Sequence, residues 1–500
     1  MRRLSGCFAL CVGCAFVWES GAQAQMGRGG SDWTMAGGDA QRSQWVRTDP
    51  KISVSSLSKP GFALTWKIKL THEPTLASTL DFYIGYRGFR TLALMGSGAG
   101  EITAIDSDLG RVEWTKNLGA GSPPNASGPC AGGMTADMAR PTNAAFPNAG
   151  GGRGGGGGRG GPAKSGVGQP GEGAVTIAEA AARAAAANDA GRGRGPGAGR
   201  GPEANNPFGP RVSPVMAISS DGVLHTMYIS NGEEPAAAIA FLPASAHAEG
   251  LTVIGTMAYA ATAHGCGGAP NGVWALDLTS KQTAQWTTPA DIAGASGFAF
   301  GPDGTLYAAT SGGQLAALDP KTLEMKGEYR SGGAAFTSTP AIFDYKSKAT
   351  IAAAASDGHI HIVDAAALKG APYAAAVSGE LATWQDAAGA RWVAAPAKDA
   401  ITAWKIADQG DAPALQAGWK SREMASPLTP IVVNGVVFAV ANSSSSVLYA
   451  LDGATGKELW SSGATMKAPI RRGGLSGSGS QIFLGTSDGT IYAFGFPIEH

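Results

Sequence analysis

A repeated phrase restricts the possible folds of this chain more than any other feature of its sequence. Each full copy is a short apolar strand that ends in Asp, followed by a turn and, in most copies, by an aromatic residue eight to ten positions later. The copies lie at residues 102–106, 273–277, 315–319, 360–364, 401–405, 447–452 and 491–495. From the second copy onward, equivalent positions are 41 to 47 residues apart, which is the length of one four-stranded propeller blade.

The number of blades follows from the long gap between the first two copies. Asp106 and Asp277 are 171 residues apart, and removal of the 91 residues 121–211 leaves 80, which is two repeats. One more blade is therefore expected within residues 213–242, although its Asp and Trp are missing. The sequence predicts an all-β fold, an eight-bladed beta-propeller of four-stranded antiparallel blades with one long low-complexity insert.

The ring is expected to close through the two ends of the chain. The last copy has no outer strand after it, whereas residues 62–70 predict an outer strand with no blade before it. One shared blade would join them, because an open ring exposes sheet edges. The repeated Asp is interpreted as a turn residue and the repeated Trp as a packing residue between blades, not as catalytic groups.

The insert at residues 121–211 contains 25 glycines, and a segment of this composition cannot bury a core, so it is expected to be mostly disordered. Residues 177–188 predict one helix, because Thr176 and Glu179 form a capping box before an Ala-rich run. A flexible tether or lid is favoured over contact with an anionic surface. The predicted organisation is a signal peptide at 1–24, the closing strand and first blade at 25–120, the insert, and the remaining blades at 212–500.

The first 24 residues are predicted to be a secretory signal peptide. Two arginines precede an apolar run over residues 4–18, and Ala22 and Ala24 place small residues at the two positions that a signal peptidase reads. A membrane anchor needs about 20 apolar residues, but Glu19 ends the run. Lipidation at Cys7 would leave too few residues for the charged and apolar regions. We expect a periplasmic or secreted protein that is soluble after cleavage.

The charge balance argues against some partners. The chain has 38 Lys and Arg residues and 38 Asp and Glu residues, so its formal net charge is zero. Neutralising phosphate groups requires an excess of basic residues, and nucleic acid is therefore not an expected partner. No later segment is long and apolar enough to predict a membrane span.

Cys130 and Cys266 are the two of five cysteines that remain after signal cleavage. They are predicted to form a disulfide, because cysteines of exported proteins usually pair and both residues fall in loops on the same face of the ring. His264 and Cys266 make a poor zinc half-site with no second half nearby. No metal site is predicted.

Three further segments accompany the blade phrases. Residues 32–45 look like a segment that opens propellers, and Ser426-Pro427 and 338–340 look like inner strands that open blades. With them, residues 32–118 and 213–500 resemble the pyrroloquinoline quinone (PQQ) repeat superfamily of eight-bladed propellers. The superfamily includes quinoprotein dehydrogenases, which hold PQQ and Ca²⁺ on the ring axis, and cofactor-free propellers such as the Bam-complex lipoprotein that assists outer-membrane protein assembly.

The sequence matches neither the quinoprotein dehydrogenases nor the cofactor-free propellers fully. The adjacent-cysteine ring of the alcohol dehydrogenases and a Cys-x-x-Cys-His haem motif are missing from the chain. The contexts of the Ca²⁺ carboxylates and of the catalytic Asp are not found either, so no catalytic residue is assigned. The chain also differs from the Bam-complex lipoprotein. A lipoprotein cysteine is not credible here, and the Gly-rich insert has no counterpart in that protein.

Two pairs of residues are candidates for ligand binding. Arg471 and Arg472, just before the strands of the eighth blade, could pair with the carboxylates of PQQ or with a peptide C-terminus, the alternative being solvated loop arginines. His359 and His361 alternate along a strand and so share one face. Because no third ligand is visible, these histidines are interpreted as packing residues.

The sequence therefore predicts an exported binding or scaffold module of the cell envelope, with protein or peptide ligands and without a cofactor. The alternative is a periplasmic dehydrogenase that oxidises alcohols or sugars with PQQ and Ca²⁺.

The predicted signal peptide can be tested by mass. Cleavage after Ala24 yields a mature chain that begins at Gln25, since small residues occupy the two positions read by the peptidase. Intact mass spectrometry of the exported protein measures the result. A mass equal to that of the full chain, or a mass that includes acyl groups on a cysteine, contradicts the prediction.

Overall fold

The computed structural model describes residues 32–85, 88–119, 130, 133–142, 214–410, 412–471 and 474–497. Within these residues, 32 strands form eight separate sheets. This arrangement confirms the predicted eight-bladed, all-β architecture. The predicted signal peptide, the predicted helix at 177–188, most of the insert and Arg472 lie outside the described residues.

The first elements precede the first complete blade. They are β1 (Trp45–Val46), the short helix α1 (Val54–Leu57) and β2 (Ala63–Lys69). Blade 1 contains β3 (Ser78–Gly85), β4 (Gly88–Gly96), β5 (Glu101–Asp106) and β6 (Arg111–Asn117). Blade 2 contains β7 (Pro214–Ile218), β8 (Val223–Tyr228) and β9 (Ile239–Ala240).

The next three blades have four strands each. Blade 3 contains β10 (His247–Ile254), β11 (Met257–Ala263), β12 (Gly272–Asp277) and β13 (Thr283–Thr287). Blade 4 contains β14 (Phe298–Phe300), β15 (Leu306–Ala309), β16 (Gln314–Leu318) and β17 (Met325–Arg330). Blade 5 contains β18 (Ala341–Tyr345), β19 (Lys348–Ala354), β20 (His359–Asp364) and β21 (Lys369–Ala374).

The last three blades complete the ring. Blade 6 contains β22 (Ala382–Gln385), β23 (Arg391–Ala397), β24 (Ala400–Gln409) and β25 (Ala412–Lys420). Blade 7 contains β26 (Ile431–Val433), β27 (Val436–Asn442), β28 (Ser446–Asp452) and β29 (Glu458–Ser461), with β1 added in parallel at β26. Blade 8 contains β30 (Ser476–Ser478), β31 (Gln481–Gly485) and β32 (Thr490–Gly495), together with β2.

The antiparallel order gives the ring two distinct faces. Within a blade each strand pairs with the next along the chain, from an inner strand to an outer strand. The connections between blades and the turns between second and third strands therefore lie on one face, here called the connection face. The turns between first and second strands, and between third and fourth strands, lie on the opposite face, here called the turn face.

The ring closes as the sequence predicts. β2 pairs antiparallel with β32, from Ala63 opposite Gly495 to Lys69 opposite Thr490, and so becomes the outer strand of blade 8. The indole Nε1 of Trp66 in β2 also donates to the carbonyl of Ser107 in blade 1. The first blade and the last blade are thereby joined through one strand.

The repeated Asp and Trp have the structural roles predicted for them. The Asp452 carboxylate accepts hydrogen bonds from the backbone N–H groups of Ala454 and Thr455, and Asp106, Asp277, Asp319 and Asp364 form equivalent turns. Trp419 donates to the carbonyl of Gly453 in the next blade. Gly456 lies under this indole, and a Cβ there would be 2.4 Å from a ring carbon, so the position requires glycine.

Part of the predicted insert packs inside the ring. Met134 and Met138 are 1% and 0% exposed and belong to the core between blades 1 and 2. Ala139 exchanges two backbone hydrogen bonds with Met216 of β7. The interpretation of 121–211 as a segment without a core therefore does not hold for residues 133–142, where Met134, Ala136 and Met138 alternate. The sequence analysis missed this short apolar pattern because it considered the glycine content of all 91 residues together.

Among the described residues, no helix has the length and apolar character needed to cross a membrane. The core lies between neighbouring sheets, where apolar residues of the two middle strands of each blade are almost completely buried.

A pair of deletions distinguishes the packed part of the insert from the rest. Replacement of residues 144–207 by a short Gly/Ser linker should leave cooperative thermal unfolding close to that of the full chain, because the glycine-rich composition offers little apolar surface to bury. Replacement of residues 124–207 also removes Met134, Met138 and Cys130, and should lower the melting temperature strongly. Differential scanning calorimetry measures both. Equal melting temperatures for the two variants would contradict the assignment.

Candidate functional site

The segment at residues 33–46 lies inside the ring and bonds to the inner strands. Its carbonyl groups accept from inner-strand N–H groups at 2.8–2.9 Å in the pairs Trp33–Thr79, Ala40–Phe300, Gln41–Ile342, Ser43–Thr383 and Gln44–Val432. The acceptors at 40, 41, 43 and 44 serve blades 4, 5, 6 and 7 in turn. Inner-strand donors that face the axis are thus paired by the chain itself.

Arg42 is the central cation of this segment and is 2% exposed. Its Nε donates to the carbonyl of Phe298 at 2.7 Å, and one Nη donates to that of Ala36 at 2.5 Å. The other Nη donates to the Gly250 carbonyl at 3.1 Å and to the Thr252 hydroxyl at 2.8 Å. Burial lowers the pKa of Arg42 to about 10. Because four of its donor directions end on protein acceptors, Arg42 acts as a cross-link between blades 3 and 4.

Two partly buried carboxyl groups lie near Arg42 on the connection face. Asp137 accepts a hydrogen bond from the Leu76 N–H at 2.9 Å, and burial raises the pKa of Asp137 to about 6. Glu380 accepts from the N–H and hydroxyl of Thr339, both at 2.9 Å, and from the Ala295 N–H at 2.7 Å; burial raises its pKa too. These carboxyl groups tie neighbouring inter-blade connections together and give the connection face near the axis an acidic character.

The candidate Arg471 lies apart from these groups. It is exposed on the connection between β29 and β30, and its backbone N–H donates to Glu73 Oε1 at 2.9 Å. Its partner candidate Arg472 falls outside the described residues. The described structure places Arg471 at the surface of the connection face and offers no further support for a cofactor site there.

His359 and His361 alternate along β20 but have different environments. His361 is fully buried, its Nδ1 is 2.9 Å from the Tyr329 hydroxyl, and its ring packs edge-on against Phe336. Burial lowers its pKa. His359 Nδ1 is 3.1 Å from Asp357 Oδ2 at the surface. The sequence-based interpretation of packing holds for His361.

The predicted pair Cys130 and Cys266 forms a disulfide, with 5.3 Å between the Cα atoms. Cys266 opens a single helical turn, Cys266–Gly268, in the loop between β11 and β12. The bond attaches the start of the long connection after blade 1 to blade 3.

A cleft of about 870 Å³ opens on the turn face between blades 5 and 6. We call it the arginine cleft, and its lining includes Trp45, Arg47, Phe343, Tyr345 and Arg391. The guanidinium carbon of Arg47 lies 4.8 Å from the centroid of the Trp45 ring, and that of Arg391 lies 5.6 Å from it. Two cations therefore share one aromatic surface, an arrangement stabilised by attraction to the ring face.

Arg391 is the least satisfied cation of the arginine cleft. Its Nε is buried and has no hydrogen-bond partner among the described residues. Burial, and next the nearby charge of Arg47, lower the pKa of Arg391 to about 10. Arg47 itself is 3.5 Å from Asp39 Oδ2. A buried guanidinium donor without an acceptor is unfavourable, and this Nε has too little accessible surface for an anion in the cleft to reach it.

Sequence analysis did not find the arginine cleft. Arg47 directly follows the opening segment, and Arg391 begins the second strand of blade 6. They are more than 340 positions apart in the chain, so no local spacing links them. The available signal was an arginine two residues after Trp45, the last aromatic residue of the opening segment.

Comparisons with known proteins agree with the architecture. Residues 347–495 match the family model described as outer membrane protein assembly factor BamB. No curated protein matches the chain significantly. The match covers less than a third of the chain, so the eight blades define the protein as an eight-bladed propeller, of which blades 5 to 8 are similar to this family.

Three solved structures are similar in fold. Quinohemoprotein alcohol dehydrogenase from Comamonas testosteroni aligns with a TM-score of 0.58 and 13% identity over 94% of this chain and 81% of its own. BamB from Moraxella catarrhalis aligns with 0.50 and 13% over 88% and 99%. The computationally designed Ika8 protein aligns with 0.52 and 13% over 87% and 98%. At this identity the likenesses establish the fold and not the activity.

The raised pKa of Asp137 predicts a pH dependence of stability. The carboxyl pKa is 3.8 before burial and about 6 in the fold, so the folded state holds the proton more tightly. Its contribution to stability is complete below about pH 4 and is lost as the pH rises through 6. Asp137→Asn should therefore raise the free energy of unfolding at pH 7.5, by at most ~3 kcal/mol, and not at pH 4.

Urea unfolding at several pH values measures this difference. Glu423→Gln, at an exposed carboxyl, is the matched control and should have no pH-dependent effect on stability. A constant stability difference between Asp137→Asn and the unmodified chain from pH 4 to 7.5 would show that Asp137 does not titrate with a raised pKa.

Proposed function

We propose that this protein is a binding module of the cell envelope, which holds the C-terminal carboxylate of a peptide or protein ligand in the arginine cleft. The observation that supports the proposal is the pair of guanidinium groups of Arg47 and Arg391, which lie beside the Trp45 ring in the lining of one open cleft. The envelope location rests on the predicted signal peptide.

A carboxylate suits this arrangement chemically. Its two oxygens can accept hydrogen bonds from two guanidinium groups at once, and charge-assisted bonds of this kind are the strong ones. Burial lowers the pKa of Arg391, and the charge of Arg47 is close enough to lower it further. An anion bound beside both guanidinium groups would therefore be attracted by two cations. Phe343 and Tyr345 of the cleft provide apolar surface for the side chain that precedes the carboxylate.

The comparisons favour a protein ligand over a small metabolite. The matching family model carries the description of an outer membrane protein assembly factor, which is a role in handling other proteins. The match covers residues 347–495, which include Arg391 and blade 6. A propeller can use its faces and loops for such contacts.

The quinoprotein alternative is supported by the fold likeness to the quinohemoprotein alcohol dehydrogenase. PQQ is a tricarboxylated quinone that needs cations and a Ca²⁺ ion on the axis. The guanidinium of Arg42 already donates to four protein acceptors, and Arg140 donates to Asp32 at 2.7 Å. With Asp137 and Glu380 nearby, the described axis residues fit a tricarboxylate poorly, and we propose that the protein works without this cofactor.

Matched peptides test the arginine cleft. The probe is a fluorescein-labelled tripeptide, Ala-Ala-Phe, with a free C-terminal carboxylate, compared by fluorescence anisotropy with its C-terminal amide. The acid should bind and the amide should bind at least tenfold more weakly. Arg391→Gln and Arg47→Gln should each weaken binding of the acid about tenfold or more, because a hydrogen bond to a charged group contributes about 1.5–3 kcal/mol.

Arg330→Gln is the control, since this exposed arginine pairs with Glu328 in β17, outside the cleft lining. Its affinity for the acid should equal that of the unmodified protein. Equal affinities for acid and amide, or full affinity in both cleft variants, would refute the proposal.

Titration with PQQ and Ca²⁺ tests the alternative separately. We expect no binding at micromolar PQQ and no dye reduction with alcohols, aldoses or sugar aldehydes. Stoichiometric PQQ binding with Ca²⁺-dependent turnover would establish the dehydrogenase instead, whatever the peptide result.

A further inference from the structure

Three ligand-type side chains converge on the connection face of blade 3. His247 and Glu249 alternate on the inner strand β10 and therefore point to the same side. His264 follows β11 directly, beside the paired residues His247 and Ala263. One ligand atom from each of His247, Glu249 and His264 lies within 4.8 Å of the other two. We call these three residues the His–Glu–His cluster.

The spacing within the cluster is close to that of metal ligands. His247 Nε2 and Glu249 Oε1 are 3.3 Å apart. Two atoms that are each about 2.0–2.1 Å from one zinc ion, at a tetrahedral angle, are separated by about 3.3–3.4 Å. The longest separation in the set is at most 4.8 Å and must shorten by up to about 1.5 Å. The side chains of His247 and His264 are 20% and 36% exposed, which leaves them room to rotate.

The backbone that carries the cluster is held firmly. The N–H and the carbonyl of Ala248, between the two β10 ligands, both bond to the Thr135 hydroxyl at 2.8 Å. The loop that carries His264 is fixed by the disulfide at Cys266, and the backbone N–H of His264 donates to Asp291 Oδ1 at 2.7 Å. A preformed backbone reduces the ordering cost of binding an ion.

Asp291 orients the ring of His264. Its Oδ2 is 3.3 Å from His264 Nδ1, and its Oδ1 also accepts from the Asn271 amide at 2.8 Å. A carboxylate on one ring nitrogen fixes the tautomer and leaves the other nitrogen, Nε2, as a lone-pair donor. This carboxylate–histidine arrangement is the usual support of a histidine ligand in metal sites.

Glu249 provides an independent observation. Its second oxygen, Oε2, is buried and has no hydrogen-bond partner among the described residues. A buried carboxylate oxygen without a partner is unfavourable, and a cation at the cluster would satisfy it. Two imidazoles and one carboxylate are ligands that suit divalent transition metals rather than Ca²⁺ or Mg²⁺.

We propose that His247, Glu249 and His264 bind one divalent transition-metal ion of the zinc class, with Asp291 as the supporting carboxylate. Three protein ligands leave at least one coordination position for water or for an external ligand. The site lies on the face opposite the arginine cleft and does not depend on the proposed function. Sequence analysis predicted no metal site, because it considered His264 only together with Cys266.

Metal titration of the untagged full chain tests the site under non-reducing conditions. Cys7, Cys11 and Cys14 are replaced by Ser so that their thiols do not bind metal, and the protein is first treated with EDTA. Isothermal titration with Zn²⁺ should give one site per chain, and Co²⁺ should give the visible absorption of a four- or five-coordinate ion. Zinc should also raise the melting temperature, since an ion that binds the folded chain stabilises it.

Single substitutions assign the ligands. His247→Gln, Glu249→Gln and His264→Gln should each lower zinc affinity at least 100-fold and abolish the Co²⁺ spectrum, whereas Asp291→Asn should lower affinity about 10- to 100-fold. His359→Gln is the matched control, because His359 pairs with Asp357 as His264 pairs with Asp291 but belongs to no group of three ligand-type side chains among the described residues. Its zinc affinity should be unchanged.

The melting temperature of each metal-free variant shows whether it is folded, so that loss of binding is not confused with unfolding. Absence of stoichiometric binding to the folded, unmodified chain would overturn the proposal. Binding that persists in all three ligand variants would overturn it equally. In either case the cluster consists only of the ion pairs His247–Glu249 and His264–Asp291.

Discussion

Unpaired backbone groups at the edges of sheets are the constraint on which this structure depends. Each of the eight blades has an outer edge and an inner edge, and the chain pairs part of these edges in two ways. Pairing of β2 with β32 completes the last blade. Inside the ring, residues 33–46 and 133–142 supply hydrogen-bond partners to the inner strands. Because an exposed edge invites association with other strands, these segments protect the ring as well as stabilise it.

The opening segment limits what the inner strands can offer to a ligand. Residues 33–46 accept hydrogen bonds from inner strands of five blades, and the two candidate sites lie on the faces of the ring. The turn face carries the arginine cleft, with two guanidinium groups over one indole. The connection face carries the carboxyl groups Asp137 and Glu380 and the His–Glu–His cluster. Two arginines thus lie together on one face, and carboxyl and imidazole groups lie on the other, although the chain as a whole has no net charge.

The blades could be predicted from the sequence because their signals are local. Each Asp bonds to N–H groups two and three residues later, and each repeat therefore carries its own turn chemistry. The axis could not be predicted in this way, because Arg42 bonds to carbonyl groups 208 and 256 residues further along the chain. Residues 133–142 were missed for a related reason, since their apolar alternation is short and lies within glycine-rich sequence. Two members of the His–Glu–His cluster could be predicted to lie on one side of a strand, because His247 and Glu249 are two residues apart. The third member, His264, could not, because it joins them only across the hairpin.

The partly or fully buried arginines of this protein provide an internal comparison for the arginine cleft. Arg42 is completely enclosed and donates to four acceptors, so its burial is explained by the fold alone. Arg391 is similarly desolvated, and the pKa of each is lowered to about 10, yet the Nε of Arg391 has no acceptor in the described structure. Folding gains nothing from a buried donor left unpaired, since the desolvation cost is then not offset. Arg90 also has a buried Nε without an acceptor, but its guanidinium pairs with Glu113. Arg391 forms no ion pair in the described structure and borders a cleft open to solvent, and the proposed carboxylate site rests on this unmatched charge.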